Sequence, residues 1–241
     1  MSTTITQHLI ELRKRLVHSL ILLTVLVVVL FPFANPLYTL LADPLLTHLP
    51  PYSEMIATQV AAPVFVPLKL VVLIAVLLAI PYLLYQIWAF VAPGLYKNER
   101  RWLTPLLWGS SGLFYSGVAF AYFVVMPLIM QFFIFSAPEG VTVMTDMSAY
   151  FDFVMQLFLA FGATFEVPLI VFLLIHSGLV TREFFTKQRP YFIIGAFVIG
   201  MLLTPPDVFS QILLAVPLCI LFELGLLFAK WWPAQTSAKS D

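Results

Sequence analysis

Apolar residues in this chain do not alternate with polar ones. They run in blocks, and the blocks end at charges or prolines. Leu16 to Phe33 is the first block, behind Arg13, Lys14 and Arg15. The second is Pro67 to Val91, with Pro81 inside it as an expected kink. Trp102 to about Phe133 contains a third and Phe153 to Ile175 is a fourth. Tyr191 to Leu203 and Val208 to Ala229 form a fifth and a sixth, separated by Thr204-Pro205-Pro206-Asp207. A helix needs roughly 20 apolar residues to cross a bilayer, so these blocks read as membrane spans. The basic start and apolar centre of the first block mimic a signal peptide. No A-x-A-like cleavage site follows, and Phe31-Pro32-Phe33-Ala34-Asn35-Pro36 is a poor substitute, so an uncleaved span is expected.

Composition agrees with the blocks. The chain has 241 residues, 61% hydrophobic and 10% charged, where soluble domains run near 45–50% and about 25%. With a mean hydropathy of +1.00 it cannot cover itself with polar side chains, so its solvent is mostly lipid. Twelve basic residues balance twelve acidic ones, which excludes a basic nucleic-acid binder, and a lone cysteine, Cys219, excludes a disulfide-stapled secreted domain. The expectation is an all-α polytopic membrane protein of six transmembrane helices, one integral membrane domain over residues 1–241. Ile5, Leu9, Leu12 and Leu16 are spaced three or four apart, so residues 1–15 should form an amphipathic helix on the inner surface before turning into span one. Residues 34–66 should form a proline-rich outer loop, and 231–241 a cytoplasmic tail.

Charge sets the direction. With the N-terminus inside, the inner segments hold Arg13, Lys14, Arg15, Lys97, Arg100, Arg101, Arg182, Lys187, Arg189, Lys230 and Lys239, leaving only Lys69 near the outer face. That satisfies the positive-inside rule with both termini cytoplasmic, and places all five tryptophans near cytoplasmic span ends, where indoles suit the headgroup boundary. The fifth span, at 13 residues, reaches only roughly 20 Å against a hydrocarbon core of about 30 Å. Gln211 and Glu223 shorten the apolar stretch of the sixth. Two deficient neighbours should thin the bilayer or meet a partner that covers the mismatch; the plainer account is a tilted bundle with Thr204 and Tyr191 in the interfaces.

The equipment of common enzymes is missing from the sequence. There is no H-E-x-x-H, no G-x-S-x-G and no Walker loop, and His8, His18, His48 and His176 are scattered over both sides of the membrane. No metal, cofactor or catalytic role is expected. What remains is charge in unusual places. Glu166 lies about mid-membrane, in a span without Lys or Arg. It can be a neutral acid tying helices together through Gln156, Thr164 or a tyrosine of span three, or a polar point facing water, partner or substrate. Glu223, nearer the cytoplasmic edge and close to Lys230, suits snorkelling or helix packing. Glu11 can pair with Arg15 at i,i+4, which is a complete explanation in itself. Glu99 has no base at i+3 or i+4 and can complement a helix dipole after an Asn98 cap. Two carboxylates on separate cytoplasmic segments can also clamp an arginine pair, since a carboxylate accepts a guanidinium bidentately.

Four stretches carry a family likeness: His8-Leu9-Ile10-Glu11-Leu12-Arg13-Lys14-Arg15-Leu16, Tyr85-Gln86-Ile87-Trp88-Ala89-Phe90-Val91-Ala92-Pro93-Gly94-Leu95-Tyr96, Phe161-Gly162-Ala163-Thr164-Phe165-Glu166-Val167-Pro168 and Gly200-Met201-Leu202-Leu203-Thr204-Pro205-Pro206-Asp207. In order, from about His8 to Trp231, the chain resembles the TatC family, the core signal-recognising subunit of the twin-arginine protein translocase. The resemblance implies a concave six-helix bundle in the bacterial inner membrane, braced by the first outer loop with Pro44 in its cap. It implies a signal-peptide site at Glu11, Arg13, Phe90 and Glu99, and docking of single-span TatA- and TatB-type subunits at Met201, Leu202, Thr204 and Gln211. It further implies self-association in a receptor complex and export of folded proteins driven by the proton-motive force. The other function classes are a proton-coupled secondary transporter with Glu166 as its ion site, which solute flux in liposomes would reveal, and a membrane scaffold that binds no signal peptide.

Overall fold

The computed structural model describes residues 2–46, 55–95, 100–136, 144–203 and 208–231. Helix dominates them. α1 (Ser2–Leu30) runs without interruption from the N-terminal segment into the first apolar block. The expected turn between a surface helix and span one is therefore not there: no glycine or proline occurs before Pro32, so nothing stops propagation. Pro32 tightens the chain into a 3₁₀ turn at Phe31–Phe33, after which α2 (Ala34–Leu46) follows. Pro36 falls in its first turn, where a missing N–H costs nothing. Much of the described part of the proline-rich stretch is thus helical where a loop was expected.

α3 (Ala62–Leu95) runs through Pro81. Its 34 residues reach roughly 51 Å, well beyond a hydrocarbon core of about 30 Å. The third block folds as α4 (Arg100–Phe120), a π turn at Ala121–Val125, and α5 (Met126–Phe135). The backbone N–H of Met126 reaches back five residues to the carbonyl of Ala121. Pro127 explains the wide turn, because it cannot donate to Phe123 and its ring crowds that carbonyl. The fourth block also divides, into α6 (Met147–Phe165) and α7 (Val167–His176), with Glu166 at the joint. Pro168 removes the amide that would bond Thr164, and the Glu166 N–H turns to Ala163 O at 3.2 Å. Gly178, at φ +71°, ends α7 in the left-handed region that a side chain would strain. Then come α8 (Arg182–Lys187), capped by Thr181, α9 (Arg189–Leu203) and α10 (Val208–Trp231).

Among the described residues, five helical stretches are long and apolar enough to cross a membrane: Leu9–Leu40, Ala62–Phe90, Thr104–Phe133, Met147–His176 and Gln211–Trp231. Arg189–Leu202 is apolar but shorter, as the 13-residue block anticipated. The most apolar window of the first stretch is only 6% buried. A helix so apolar and so uncovered requires lipid around it, and the protein is a multi-pass membrane protein.

The chain groups into two compact units that interleave along the sequence, so neither is a contiguous domain. One comprises Met1–Pro93, Leu103–Ser111 and Gln131–Met155. Its core includes Val66, Leu70, Val71, Ala75, Phe151 and Val154, with Tyr38 against Phe151. Trp88, near the end of the Ala62–Phe90 stretch, is buried there and donates from Nε1 to Ser110 Oγ at 3.0 Å. Two short strands, β1 (Met55–Ile56) and β2 (Thr145–Asp146), pair in parallel. Asp146 then caps α6, accepting from the N–H of Ala149 at 2.9 Å while its other oxygen accepts from Thr58 N and Oγ1. These three bonds hold its carboxyl at about 2, below the usual carboxylate range.

The other unit comprises Gly94–Trp102, Gly112–Met130 and Gln156–Asp241. In it α10 packs against α7 and α9 around Val171, Phe222 and Leu226, and around Ala196, Ala215 and Leu218. Gly225 makes the first contact possible: a Cβ there would lie 2.9 Å from the Pro168 Cα.

Candidate functional site

α1 and α3 enclose a recess of about 360 Å³ lined by Glu11, Lys14, Arg15, His18, Tyr85 and Gln86. Its centre is Arg15. Nε and Nη2 both donate to Glu11 Oε1, at 3.1 and 2.6 Å. Nη1 donates to Gln86 Oε1 at 3.1 Å, and Nη2 also reaches the carbonyl of Ala89 at 3.2 Å. Gln86 is held in turn, donating from Nε2 to Tyr82 Oη at 2.6 Å.

Each contact has a local cause. Glu11 and Arg15 lie one turn apart on a continuous helix, which puts them on one face. The Ala89 carbonyl would ordinarily accept from the amide of residue 93, but that residue is Pro93 and has no N–H. Arg15 supplies the missing donor. Opposite charges in a half-open recess, with side chains 23% and 44% exposed, form a weak pair by ordinary standards: an exposed intrahelical pair contributes about 0.3–0.5 kcal/mol. The recess is therefore a place where a guanidinium is held by four hydrogen bonds.

The structure distributes the other candidates as follows. Arg13 is exposed on α1, one residue off the recess face, and Phe90 is half-buried on α3, next to Ala89. Glu99 and Thr204 lie outside the described residues. Pro44 is within α2. Glu166 is 7% exposed, at the joint of α6 and α7. Met201 and Leu202 are exposed at the end of α9, and Gln211 donates to the carbonyl of Phe197 at 2.9 Å, tying the start of α10 to α9. Glu223 accepts from Arg189 Nη2 at 2.7 Å, so its partner is a base on α9 rather than Lys230. Lys69 donates to both oxygens of Asp152, at 2.7 and 2.9 Å. The sequence alone does not mark Gln86 and Ala89 as site residues, although the proline four positions after Ala89 signals an acceptor left without its helical donor.

Comparison with known proteins comes to the same place as the motifs. Residues 7–217 match the family model described as Sec-independent protein translocase protein (TatC). The Sec-independent protein translocase protein TatC of Haemophilus influenzae is 52% identical over 231 residues, covering 96% of this chain and 90% of that one. The Escherichia coli K12 protein of the same name is 54% identical over 225 residues, covering 93% and 87%. A solved structure described as the twin arginine translocase receptor TatC superposes with a TM-score of 0.84 at 37% identity, over 93% of this chain and 98% of that one.

Proposed function

This chain belongs to the TatC family of Sec-independent protein translocase proteins, and we propose that it recognises twin-arginine signal peptides through the recess between α1 and α3. The observation that carries this is the Glu11 carboxylate already holding a guanidinium there, at 2.6 and 3.1 Å. A site that accommodates its own arginine has the shape and charge to take another. Glu99 supplies the second carboxylate, so that paired arginines are desolvated only where charge-assisted hydrogen bonds offset the cost. Arg13 and Phe90 flank the bound segment.

The chain crosses the bacterial inner membrane six times with both termini cytoplasmic, Arg189–Leu202 being the short fifth crossing. Eleven of the twelve basic residues then lie inside. It is a transport protein, the core of a complex that exports folded proteins at the expense of the proton-motive force. Single-span TatA- and TatB-type subunits dock at Met201, Leu202, Thr204 and Gln211, where the short α9 leaves apolar side chains exposed, and copies of the chain self-associate in the receptor complex. Pro44 belongs to the outer cap. Glu166 offers a polar point within the membrane for a partner or for penetrating water.

The test is site-specific crosslinking in membranes to signal peptides carrying Arg-Arg or Lys-Lys, with wild type, Glu11→Ala and Glu99→Ala. Strong crosslinking of Arg-Arg alone, lost in either variant, is expected. Equal crosslinking in every combination would move recognition elsewhere. Glu166→Ala is expected to lower export while signal crosslinking persists; full export by that variant would remove Glu166 from the pathway.

A further inference from the structure

The recess between α1 and α3 carries more positive charge than its hydrogen bonds account for. Glu11 and Arg15 compensate one another, and Arg15 is further held by Gln86 and the Ala89 carbonyl. Lys14 and His18 line the same recess, one turn apart on α1. Among the described residues neither Lys14 Nζ nor His18 Nε2 has a hydrogen-bond partner. We propose that Lys14 and His18 bind the phosphate of an anionic phospholipid headgroup, at a site distinct from the carboxylate assigned to the signal peptide.

Position selects this ligand first. The first apolar block begins at Leu16, and Leu16, Val17, Leu20 and Ile21 are exposed apolar side chains that need lipid around them. Lys14 lies just before that block and His18 just inside it, roughly 6 Å apart along the helix axis. One headgroup layer is about 5–8 Å thick, so both residues fall where lipid phosphates lie. The recess, at about 360 Å³, is within the range of small-molecule sites, about 300–1,000 Å³.

The donors suit a phosphate. Lys14 offers a compact ammonium, a point charge for phosphate oxygens. His18 is set by the backbone: Nδ1 lies 2.6 Å from the Lys14 carbonyl. A carbonyl only accepts, so Nδ1 carries the proton and Nε2 is left for the ligand. Protonation of the ring makes Nε2 a donor and adds a second charge. Tyr85 brings a hydroxyl from α3, whereas Gln86 is committed on both sides, to Arg15 and to Tyr82. The charged groups facing His18 are thus Glu11, Lys14 and Arg15 on α1, with neutral Tyr85 and Gln86 from α3. A phosphate among them favours the protonated ring, so binding strengthens as pH falls through the range where imidazoles take up a proton, about pH 5–8.

The probe is phosphatidylglycerol with a diazirine near its glycerol, diluted into phosphatidylcholine nanodiscs that hold the full chain; crosslinked peptides are mapped by mass spectrometry. Wild type, Lys14→Gln, Lys14→Arg, His18→Gln and Lys230→Gln are compared, Lys230 being a base in the last turn of α10. Wild-type crosslinks are expected on α1 and α3 at the recess, removed by excess unlabelled phosphatidylglycerol and not by inorganic phosphate. Lys14→Gln should lower them about fivefold, the scale of one base at an anionic surface, while Lys14→Arg retains most of them. The wild-type yield should rise from about pH 8 to about pH 6, and the His18→Gln yield should stay level. An equal loss in Lys230→Gln would mean attraction to the surface at large, and displacement by inorganic phosphate a site for the free anion; either overturns the proposal. Recess crosslinks that are absent, or that unlabelled phosphatidylglycerol leaves in place, overturn it in the wild type alone, however the variants fold. A wild-type yield that ignores pH strikes His18 from the site.

Discussion

Two arginine–glutamate pairs of nearly equal length serve different ends in this molecule. Arg15 and Glu11 meet at 2.6 Å within one helix. Arg189 and Glu223 meet at 2.7 Å between α9 and α10. The first opens onto a recess and involves two residues that α1 would hold in place anyway. The second joins helices that also share Phe192 stacked on Phe222, with ring centroids 4.1 Å apart, and the Gln211 bond to Phe197. Distance does not distinguish a binding residue from a brace; what each pair would leave behind when opened does.

The sharpest way to break the comparison is to disturb the packing beside the second pair. Gly225→Ala places a Cβ 2.9 Å from the Pro168 backbone. Overpacking of this kind costs about 1–3 kcal/mol, and each kcal/mol lowers the melting temperature by roughly 2–4 °C in a chain of this size. Thermal unfolding in detergent should show it, and an unchanged melting temperature would mean that α7 and α10 can yield there. Glu11→Gln should do the reverse, lowering Arg-Arg peptide affinity about tenfold, equivalent to about 1.4 kcal/mol, with the melting temperature preserved. A fall in stability comparable to that of Gly225→Ala would make Glu11 a brace too.

Glu223→Gln is a smaller change, about 1 kcal/mol at most, because both side chains of the pair are more than 40% exposed. It should lower the melting temperature slightly and leave signal binding untouched; weakened binding with normal stability would reverse the assignment of the two pairs. The smallest effect belongs to Asp146. Its carboxyl titrates at about 2, below the ordinary 3.8, so the folded state favours its charged form. Its contribution is present in full above the ordinary value and is lost as pH falls through about 2. Hydrogen-exchange protection at Thr58 and Ala149, taken relative to the intrinsic rate at each pH, should therefore fall on acidification in the wild type. In Asp146→Asn that protection should already be lower at neutral pH and change less.

Much of the architecture was legible in one dimension. Five of the apolar blocks fall in helical stretches long and apolar enough to cross a membrane, and Tyr191 to Leu203 falls in a shorter apolar helix, because the need for a long apolar run is set by the bilayer and not by neighbouring helices. The Glu11–Arg15 pair was legible too, since spacing along a continuous helix determines which side chains face each other. The breaks were less so: Pro168 and Pro127 were visible, but the divided fourth span and the π turn depend on how the backbone redistributes its hydrogen bonds around them.

Partner choice belonged to the tertiary structure. Arg15 meets Gln86 across 71 residues, Lys69 meets Asp152 across 83, and Glu223 takes Arg189 across 34. Trp88 turns inward to Ser110. None of these follows from periodicity, and the reason is physical. In water a helix shows its orientation through a polar face, but in lipid both its packed and its exposed sides are apolar, so the pattern records that a helix spans without recording which way it faces. Residue order sufficed for the apolar blocks, the charge asymmetry and the family; only the packing of helix on helix decided that Asp152 would hold Lys69 and Glu223 would hold Arg189.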